Sequence, residues 1–116
     1  MISGGNGKNG STSGKRGIIF SEKQLAKKFK HAADFGIKGN YNKENIAKFK
    51  AALEKHVLET GTTPITGIYR GLNVAHYVNP QTGLNVIVLA GEFHSGWKLT
   101  AEQLKHVLLT GKLGGG

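Results

Sequence analysis

Residues 65–98 read ITGIYRGLNVAHYVNPQTGLNVIVLAGEFHSGWK and decide the fold class of this 116-residue chain. The segment contains four runs rich in β-branched and aromatic residues, with apolar side chains recurring at a period near two. The runs are Ile65–Arg70, Val74–Val78, Leu84–Leu89 and Phe93–Lys98. Short glycine-containing segments separate them, and strands joined by such short turns pair antiparallel. The segment therefore predicts a four-stranded antiparallel meander.

Two helical patterns precede the strands. Ser21 and Gln24 have the spacing of a capping box, and the apolar residues that follow predict a first helix over about 21–33. Asn42 predicts the start of a second helix, in which apolar residues recur every three or four positions until Gly61.

One short helical pattern follows the strands. Thr100 and Gln103 form a second capping-box sequence, and Gly111 closes the helix that they predict. Helices come before strands without alternation, which is typical of an α+β fold. We expect the N-terminal helices to pack on one face of the four-stranded antiparallel sheet, followed by the short C-terminal helix.

Length, charge and composition narrow the class of protein. A chain of 116 residues provides one domain. Glycine and serine dominate residues 1–20, which are expected to be a flexible linker, and the folded domain is expected over 21–113. Sixteen Lys and Arg against seven Asp and Glu give a net charge of +9, which favours polyanionic partners. The absence of cysteine excludes disulfides, zinc–thiolate sites and a thiol nucleophile.

The sharpest cluster of basic residues is Lys27, Lys28, Lys30 and His31 around the apolar Phe29. On a helix that buries Phe29, the side chains of Lys27, Lys30 and His31 lie on neighbouring parts of the exposed surface. Such a cluster is compatible with a solvated basic face. It is also compatible with RNA cleavage, in which a histidine takes the 2′-hydroxyl proton and lysines stabilise charge on the phosphoryl oxygens. Neighbouring lysines lower a histidine pKa and a bound phosphate raises it, so the sequence leaves the net direction open.

The remaining histidines differ in their expected environments. His76 shares a strand face with two valines and is expected to be a hydrogen-bonded sheet residue. His56 and His106 lie among charged neighbours on helices and are expected at the surface. Metal-ligand spacings such as His-x-x-x-His do not occur in the sequence, so a metal centre is not expected.

The last strand contains His94, Ser95 and Trp97, which can face a ligand. Trp97 is compatible with a core position or with stacking on an unpaired base, and Ser95 can bond a phosphate oxygen. Tyr69 and Tyr77 are expected to pack across neighbouring strands.

Several motifs, taken in order, resemble the C-terminal nuclease domains of the colicin D family and related polymorphic toxins. They cover most of residues 25–112, and they are KFKHAADFGI (28–37), GNYNKEN (39–45), GIYRG (67–71), VAHYVNP (74–80), TGLNVI (82–87) and SGWKL (95–99). The segment 89–92 is shorter than the equivalent turn in the family, and His94 is an additional imidazole.

The resemblance implies a metal-independent, cofactor-free ribonuclease that cuts the anticodon loop of tRNA, on a fold of the barnase/EndoU/colicin/RelE group. By motif, His31 is the catalytic histidine, Lys28 and Lys30 assist it, and Ser95 and Trp97 take the places of the family's serine and tryptophan. With His31 as the base, water or a side chain such as His94 must protonate the leaving oxygen. The residues expected to bind RNA around this centre are Lys27, Lys98, His94 and Arg70.

The resemblance also implies partners and a site of action. They are a tRNA substrate and an acidic immunity protein that covers the active site, with the domain itself monomeric and not associated with membrane. The domain would be secreted or delivered at the cell surface within a larger toxin, and would act in the cytoplasm of a competing bacterium. The alternatives are a non-catalytic basic RNA-binding module and an interaction domain whose charge only aids solubility.

Overall fold

The computed structural model describes residues 17–114 of the chain. Its helices are α1 (Glu22–Lys27), a 3-10 helix (Phe29–Phe35), α2 (Lys43–Leu58) and α3 (Ala101–Thr110). Its strands are β1 (Thr63–Tyr69), β2 (Leu72–Val78), β3 (Leu84–Leu89), β4 (Glu92–Lys98) and β5 (Lys112–Leu113). The predicted α+β class is confirmed. Within the described range, no helix is long and apolar enough to cross a membrane.

The first helix is shorter than predicted, because the helical segment divides at Lys28. Ser21 accepts a hydrogen bond from the Gln24 backbone N–H at 3.1 Å, as its capping sequence predicts. The α-helix nevertheless ends at Lys27, and a 3-10 helix continues to Gly36, which closes it with a φ of 87°. A single helix over 21–33 was therefore the wrong prediction. A 3-10 helix repeats every three residues, and this repeat turns Phe29, Ala32 and Phe35 towards the protein interior.

The first hydrophobic core lies between these helices and one face of the sheet. Asn42 caps α2 through a 2.7 Å hydrogen bond from the Asn45 N–H. The apolar stripe of α2 packs against residues of β3 and β4, and the chain before Ser21 adds two more buried side chains. The buried members of this core include Ile18, Phe20, Leu25, Ile46, Phe49, Leu53, Val57, Val86, Val88 and Phe93. The folded core therefore begins at about residue 18, slightly before the predicted boundary at residue 20. Residues 1–16 of the expected linker lie outside the described range.

The sheet has the strand order β4-β3-β2-β1-β5. Its first four strands in sequence form the predicted antiparallel meander. The fifth, β5, lies parallel to β1 and pairs Lys112 with Ile68. A two-residue strand is too short to produce a period in the sequence, which is why four strands were expected. Arg70–Gly71 and Ala90–Gly91 have φ values of 50°, 81°, 52° and 82°, as in the type I′ turns that suit tight hairpins.

The second hydrophobic core occupies the opposite sheet face, and α3 covers it. Val107 of α3 is buried with Val78, Ile87 and Trp97. The capping box of Thr100 and Gln103 forms as predicted and starts this helix. The segment after α3 approaches β1 so closely that a Cβ on Gly67 would lie 1.9 Å from the Gly111 carbonyl oxygen. Glycine is therefore required at residue 67 if β5 is to pair with β1.

Candidate functional site

The 3-10 helix places Lys28, His31 and Asp34 in one row, because residues three apart superimpose along such a helix. This row lies beside the row formed by Phe29, Ala32 and Phe35, and it faces the end of β4. Asp34 fixes it there, since its Oδ2 accepts a hydrogen bond from the Lys98 backbone N–H at 2.9 Å. Three residues of an α-helix turn only about 300°, so an α-helix would place His31 about 60° away from Lys28 around the helix axis. The local 3-10 conformation thus aligns the catalytic candidate with its lysine.

A β-bulge in β4 presents His94 to the same surface. Ile87 lies opposite Ser95, and the next residue, Val88, lies opposite Phe93, so His94 is the extra residue of the bulge. Bulges redirect a side chain and are common next to active sites. The bulge is held from α1, because the Gln24 side-chain amide donates a 2.6 Å hydrogen bond to the His94 carbonyl oxygen.

Two aromatic rings, those of Trp97 and Tyr69, connect His31 to His94. The ring centroids lie 5.6 Å apart for His31 and Trp97, 5.9 Å for Trp97 and Tyr69, and 5.7 Å for Tyr69 and His94. The guanidinium carbon of Arg70 lies 5.7 Å from the centroid of the Tyr69 ring. The curled sheet therefore brings Tyr69 of β1 against two residues of β4, although β2 and β3 separate these strands. We call His31, Trp97, Tyr69 and His94, with Lys28 and Arg70, the histidine cluster.

The electrostatic environment keeps both histidines neutral near pH 7. The pKa of His31 is lowered, chiefly by burial and then by the charge of Lys30, while Asp34 opposes the shift. The pKa of His94 is also lowered, by burial and then by the charges of Lys28, Lys27 and Arg70. A neutral imidazole can accept a proton, so His31 has the protonation state of a general base.

Lys28 lies at the centre of the positive charge in the cluster. Its own pKa is lowered, first by burial and then by the charges of Lys30, Lys27 and Arg70. These cations come from the helical segment and from the β1–β2 turn, so they converge in space rather than merely in sequence. Converging cations repel one another, and an anion bound among them would relieve that repulsion.

The structure brings together most of the predicted site residues, with three exceptions. The residues that gather at one surface, through the contacts and charge interactions described above, are Lys27, Lys28, Lys30, His31, His94 and Arg70. Trp97 contacts His31 but is 8% exposed and occupies the core position that was one of its two expected environments. Ser95 belongs to the bulge but is 1% exposed, so it lies beneath this surface. Lys98 follows Trp97 in the strand and therefore points to the other face, where Gly83 lies against its aliphatic chain.

The other three histidines divide into two buried and one exposed. His76 is fully buried; its Nε2–H donates towards the Gly111 carbonyl at 3.0 Å, and its Nδ1 accepts from the Asn85 amide at 3.2 Å. The prediction of a hydrogen-bonded sheet histidine is confirmed. His56 was expected at the surface, and this was wrong: it is 6% exposed, and its Nε2–H donates to the Tyr77 carbonyl at 2.7 Å. His106 is exposed, as predicted.

Sequence reasoning missed three residues that hold the cluster together. Tyr69 was expected only to pack across strands, yet it contacts both His94 and Trp97 and is 2% exposed. The side chains of Gln24 and Asp34 join α1 and the 3-10 helix to β4. The sequence feature that could have indicated a site role for Tyr69 is its position beside Arg70 in the motif GIYRG (67–71), which resembles the colicin D family. Among the residues that the structure describes, no group of three His, Asp or Glu side chains is placed to hold a metal ion.

The fold and the cluster define a class: basic α+β domains with histidine, lysine and aromatic side chains assembled at a cationic surface. Comparison with known proteins identifies the family within this class. The chain belongs to the Colicin D family, whose model matches residues 24–107. The predicted resemblance is thereby confirmed.

Two relatives show the extent of the similarity. The chain is 44% identical over 102 residues to Colicin-D of Escherichia coli, a match that covers 81% of this chain and 14% of that protein. The chain thus spans a small part of that relative. A solved structure described as a ribonuclease from Escherichia coli complexed with its inhibitor protein is 42% identical, with a TM-score of 0.68. That match covers 78% of this chain and all of the solved chain.

Proposed function

We propose that this domain is an endoribonuclease of a bacterial toxin and that it cleaves the anticodon loop of tRNA. The observation that carries the proposal is the placement of His31, which is aligned with Lys28, in contact with Trp97 and surrounded by converging cations. Family membership and the 42% identical ribonuclease structure support the same reaction class. A tRNA substrate is supported by the resemblance of the site motifs and by a net charge of +9.

His31 acts as the general base in the proposed reaction. It takes the 2′-hydroxyl proton, the 2′-oxygen attacks phosphorus, and the bond from phosphorus to the 5′-oxygen breaks. Lys28 and Lys30 stabilise the negative charge that develops on the phosphoryl oxygens. The leaving 5′-oxygen takes a proton from water or from a protein side chain, so the products carry a 2′,3′-cyclic phosphate and a 5′-hydroxyl end. The proposed reaction uses no cofactor or metal.

The remaining predicted residues take supporting roles. Trp97 lies beside His31 and is only 8% exposed, so it supports the His31 ring from beneath the surface. Lys27 and Arg70 hold flanking phosphates, with His94 at the same surface. Ser95 acts as a positioning residue of the bulge, because it is buried. Lys98 contacts the margin of the bound RNA, since its side chain lies on the sheet face opposite Trp97 and beside Gly83.

Cleavage of total bacterial tRNA by the purified domain tests the proposal. Wild type, His31→Ala and the matched control His106→Ala are incubated with the RNA in excess chelator, and the new ends are sequenced. We expect anticodon-loop cuts by wild type and by the control, and a rate at least ~10²-fold lower for His31→Ala. Intact RNA with salt-dependent binding by wild type would favour a non-catalytic RNA-binding module. Cleavage only after a divalent metal is added would overturn metal independence.

A dedicated acidic inhibitor is the proposed protein partner. A negatively charged protein complements the cationic surface around Lys28, and opposite fields accelerate association. We expect such an immunity protein to bind the monomeric domain, to block RNA cleavage, and to associate more slowly as salt increases. A partner that binds with a salt-independent rate and leaves cleavage unchanged would contradict this assignment.

Delivery within a larger secreted or surface-exposed toxin is supported by the 14% share of the relative that the chain spans. In this proposal the domain is joined to the delivery regions of that toxin, and the nuclease acts in the cytoplasm of the target cell. Expression of the domain inside a bacterium should therefore stop growth, whereas the isolated domain added outside should not. Equal toxicity by both routes would contradict the need for a delivery region.

A further inference from the structure

His94 occupies a position that the base-catalysed step does not use. It is the extra residue of the β4 bulge, it lies edge-on to Tyr69 with ring centroids 5.7 Å apart, and its carbonyl is held by Gln24. The bulge is thus stabilised from two sides, by α1 and by β1. A ring held in this way has a defined position relative to His31, which lies at the other end of the same series of rings.

The charged groups around His94 come from several elements. Lys27 and Lys28 approach it from the end of α1, and Arg70 approaches from the β1–β2 turn, where its guanidinium also lies near the Tyr69 ring. Three cations around a half-buried imidazole form an environment suited to a phosphate group. Lys28 acts on both His94 and His31, so the same lysine lies near both imidazoles.

We propose that His94 is the general acid of the reaction and protonates the 5′-oxygen as it leaves phosphorus. This assignment rests on the proposed function and completes its proton balance. His31 receives the 2′-hydroxyl proton, the bond between the 2′-oxygen and phosphorus forms, and the bond to the 5′-oxygen breaks. The electron pair of that bond takes the proton from His94, and both histidines then exchange protons with water to restore their starting states.

Substrate binding promotes the protonation of His94 that this role requires. In the free protein the pKa of His94 is lowered by burial and by the three cations, so the ring is neutral at pH 7. A bound phosphodiester brings negative charge next to the ring and offsets Lys27, Lys28 and Arg70, which raises the pKa. The reacting complex is the one in which His94 carries a proton and His31 is neutral and able to accept one.

Replacing the leaving oxygen by sulfur tests the assignment directly. The RNA is an anticodon stem–loop in which sulfur replaces the 5′-oxygen at the bond that wild type cuts, because a thiolate leaves without needing a proton. For His94→Ala we expect a ~10²–10⁴-fold loss on the oxygen substrate and a rate near wild type on the sulfur substrate. His31→Ala should stay slow on both substrates, and the surface control His106→Ala should match wild type on both.

Each other outcome has a separate meaning. Equal loss by His94→Ala on both substrates, or no loss on either, would overturn the role of general acid. Rescue of His31→Ala by sulfur would instead make His31 the acid. His94→Gln is measured beside His94→Ala, and a folding defect in either variant is recognised by a lowered melting temperature in thermal unfolding. Failure of wild type to cleave the oxygen substrate would overturn the ribonuclease proposal itself.

Discussion

Asp34 allows a stringent test of how the 3-10 helix prepares His31. Its carboxylate accepts the Lys98 backbone N–H at 2.9 Å and raises the pKa of His31 against the opposing effects of burial and Lys30. The substitution Asp34→Asn preserves a hydrogen-bond acceptor and removes the charge. Asp34→Ala removes both. Comparison of the two variants separates the effect of the Asp34 charge from the effect of its hydrogen bond to Lys98.

The two variants are expected to differ in stability. A hydrogen bond at an exposed site contributes about 1 kcal/mol, so Asp34→Ala should lower the free energy of unfolding by about that amount. For a domain of this size the melting temperature should fall by roughly 4–8 °C. Asp34→Asn should melt within about 2 °C of wild type, because its amide oxygen can accept the Lys98 N–H.

The titration of His31 can be followed without an activity assay. Trp97 is the only tryptophan, and its ring centroid lies 5.6 Å from that of His31. A protonated imidazole quenches the fluorescence of a neighbouring indole, so emission should rise as His31 loses its proton. Because the Asp34 charge raises the pKa of His31, the midpoint should move to lower pH in Asp34→Asn. His31→Ala should remove this step, and an unchanged or higher midpoint in Asp34→Asn would refute the reasoning.

Three further predictions concern stability and RNA binding. Burial lowers the pKa values of His56 and His76 from 6.5, so the unfolded chain binds more protons than the folded protein. The free energy of unfolding should therefore fall below about pH 6.5. The fall is at most about 2.7 kcal/mol per pH unit for the pair. Urea unfolding between pH 7.5 and 5.5 measures this, and a constant midpoint would contradict it. Gly67→Ala should lower the free energy of unfolding by about 1–3 kcal/mol or more, because its Cβ would lie 1.9 Å from the Gly111 oxygen. An unchanged midpoint of urea unfolding would show that β5 does not pair with β1 as described. Lys28→Gln should reduce the slope of log affinity against log salt by about 0.7 for single-stranded RNA, and an unaltered slope would place Lys28 outside the phosphate contacts.

The parts of the fold that could be predicted are those with a sustained period. Helix α2 has four turns of regular apolar spacing, and β3 was located at Leu84–Leu89 as the structure has it. The division at Lys28 could not be predicted, because an α-helix and a 3-10 helix differ in hydrogen-bond spacing and share the same residue preferences. Tertiary contacts of Phe29 and Phe35 with α2 decide between them.

Site residues that belong to a motif were predicted from the sequence. Residues whose position depends on contacts between distant segments were not. His31 and Trp97 were identified by motif and lie in contact. The burial of His56 was missed because its charged neighbours indicate an exposed helix face, whereas a backbone carbonyl of β2 accepts its N–H. Tyr69 was missed because its contacts join β1 to β4, which no local pattern reports.

The histidine cluster depends on three departures from regular structure. Lys28 lies where α1 gives way to the 3-10 helix, His94 is the extra residue of a bulge, and Arg70 has a left-handed backbone in a tight turn. Sequences violate local regularity chiefly where function requires it, so the coincidence of all three at one surface is itself an argument for a site.

The same segments also protect the sheet. Strand β4 is an edge strand, and an exposed edge invites pairing with other chains. Ile19 forms a parallel bridge to Glu92, Gln24 bonds the bulge, and Asp34 bonds the strand end. The N-terminal segment therefore covers the edge by the contacts that position the histidines. Loosening this segment should disable the site and expose the edge together, so loss of activity and gain of aggregation are expected to coincide.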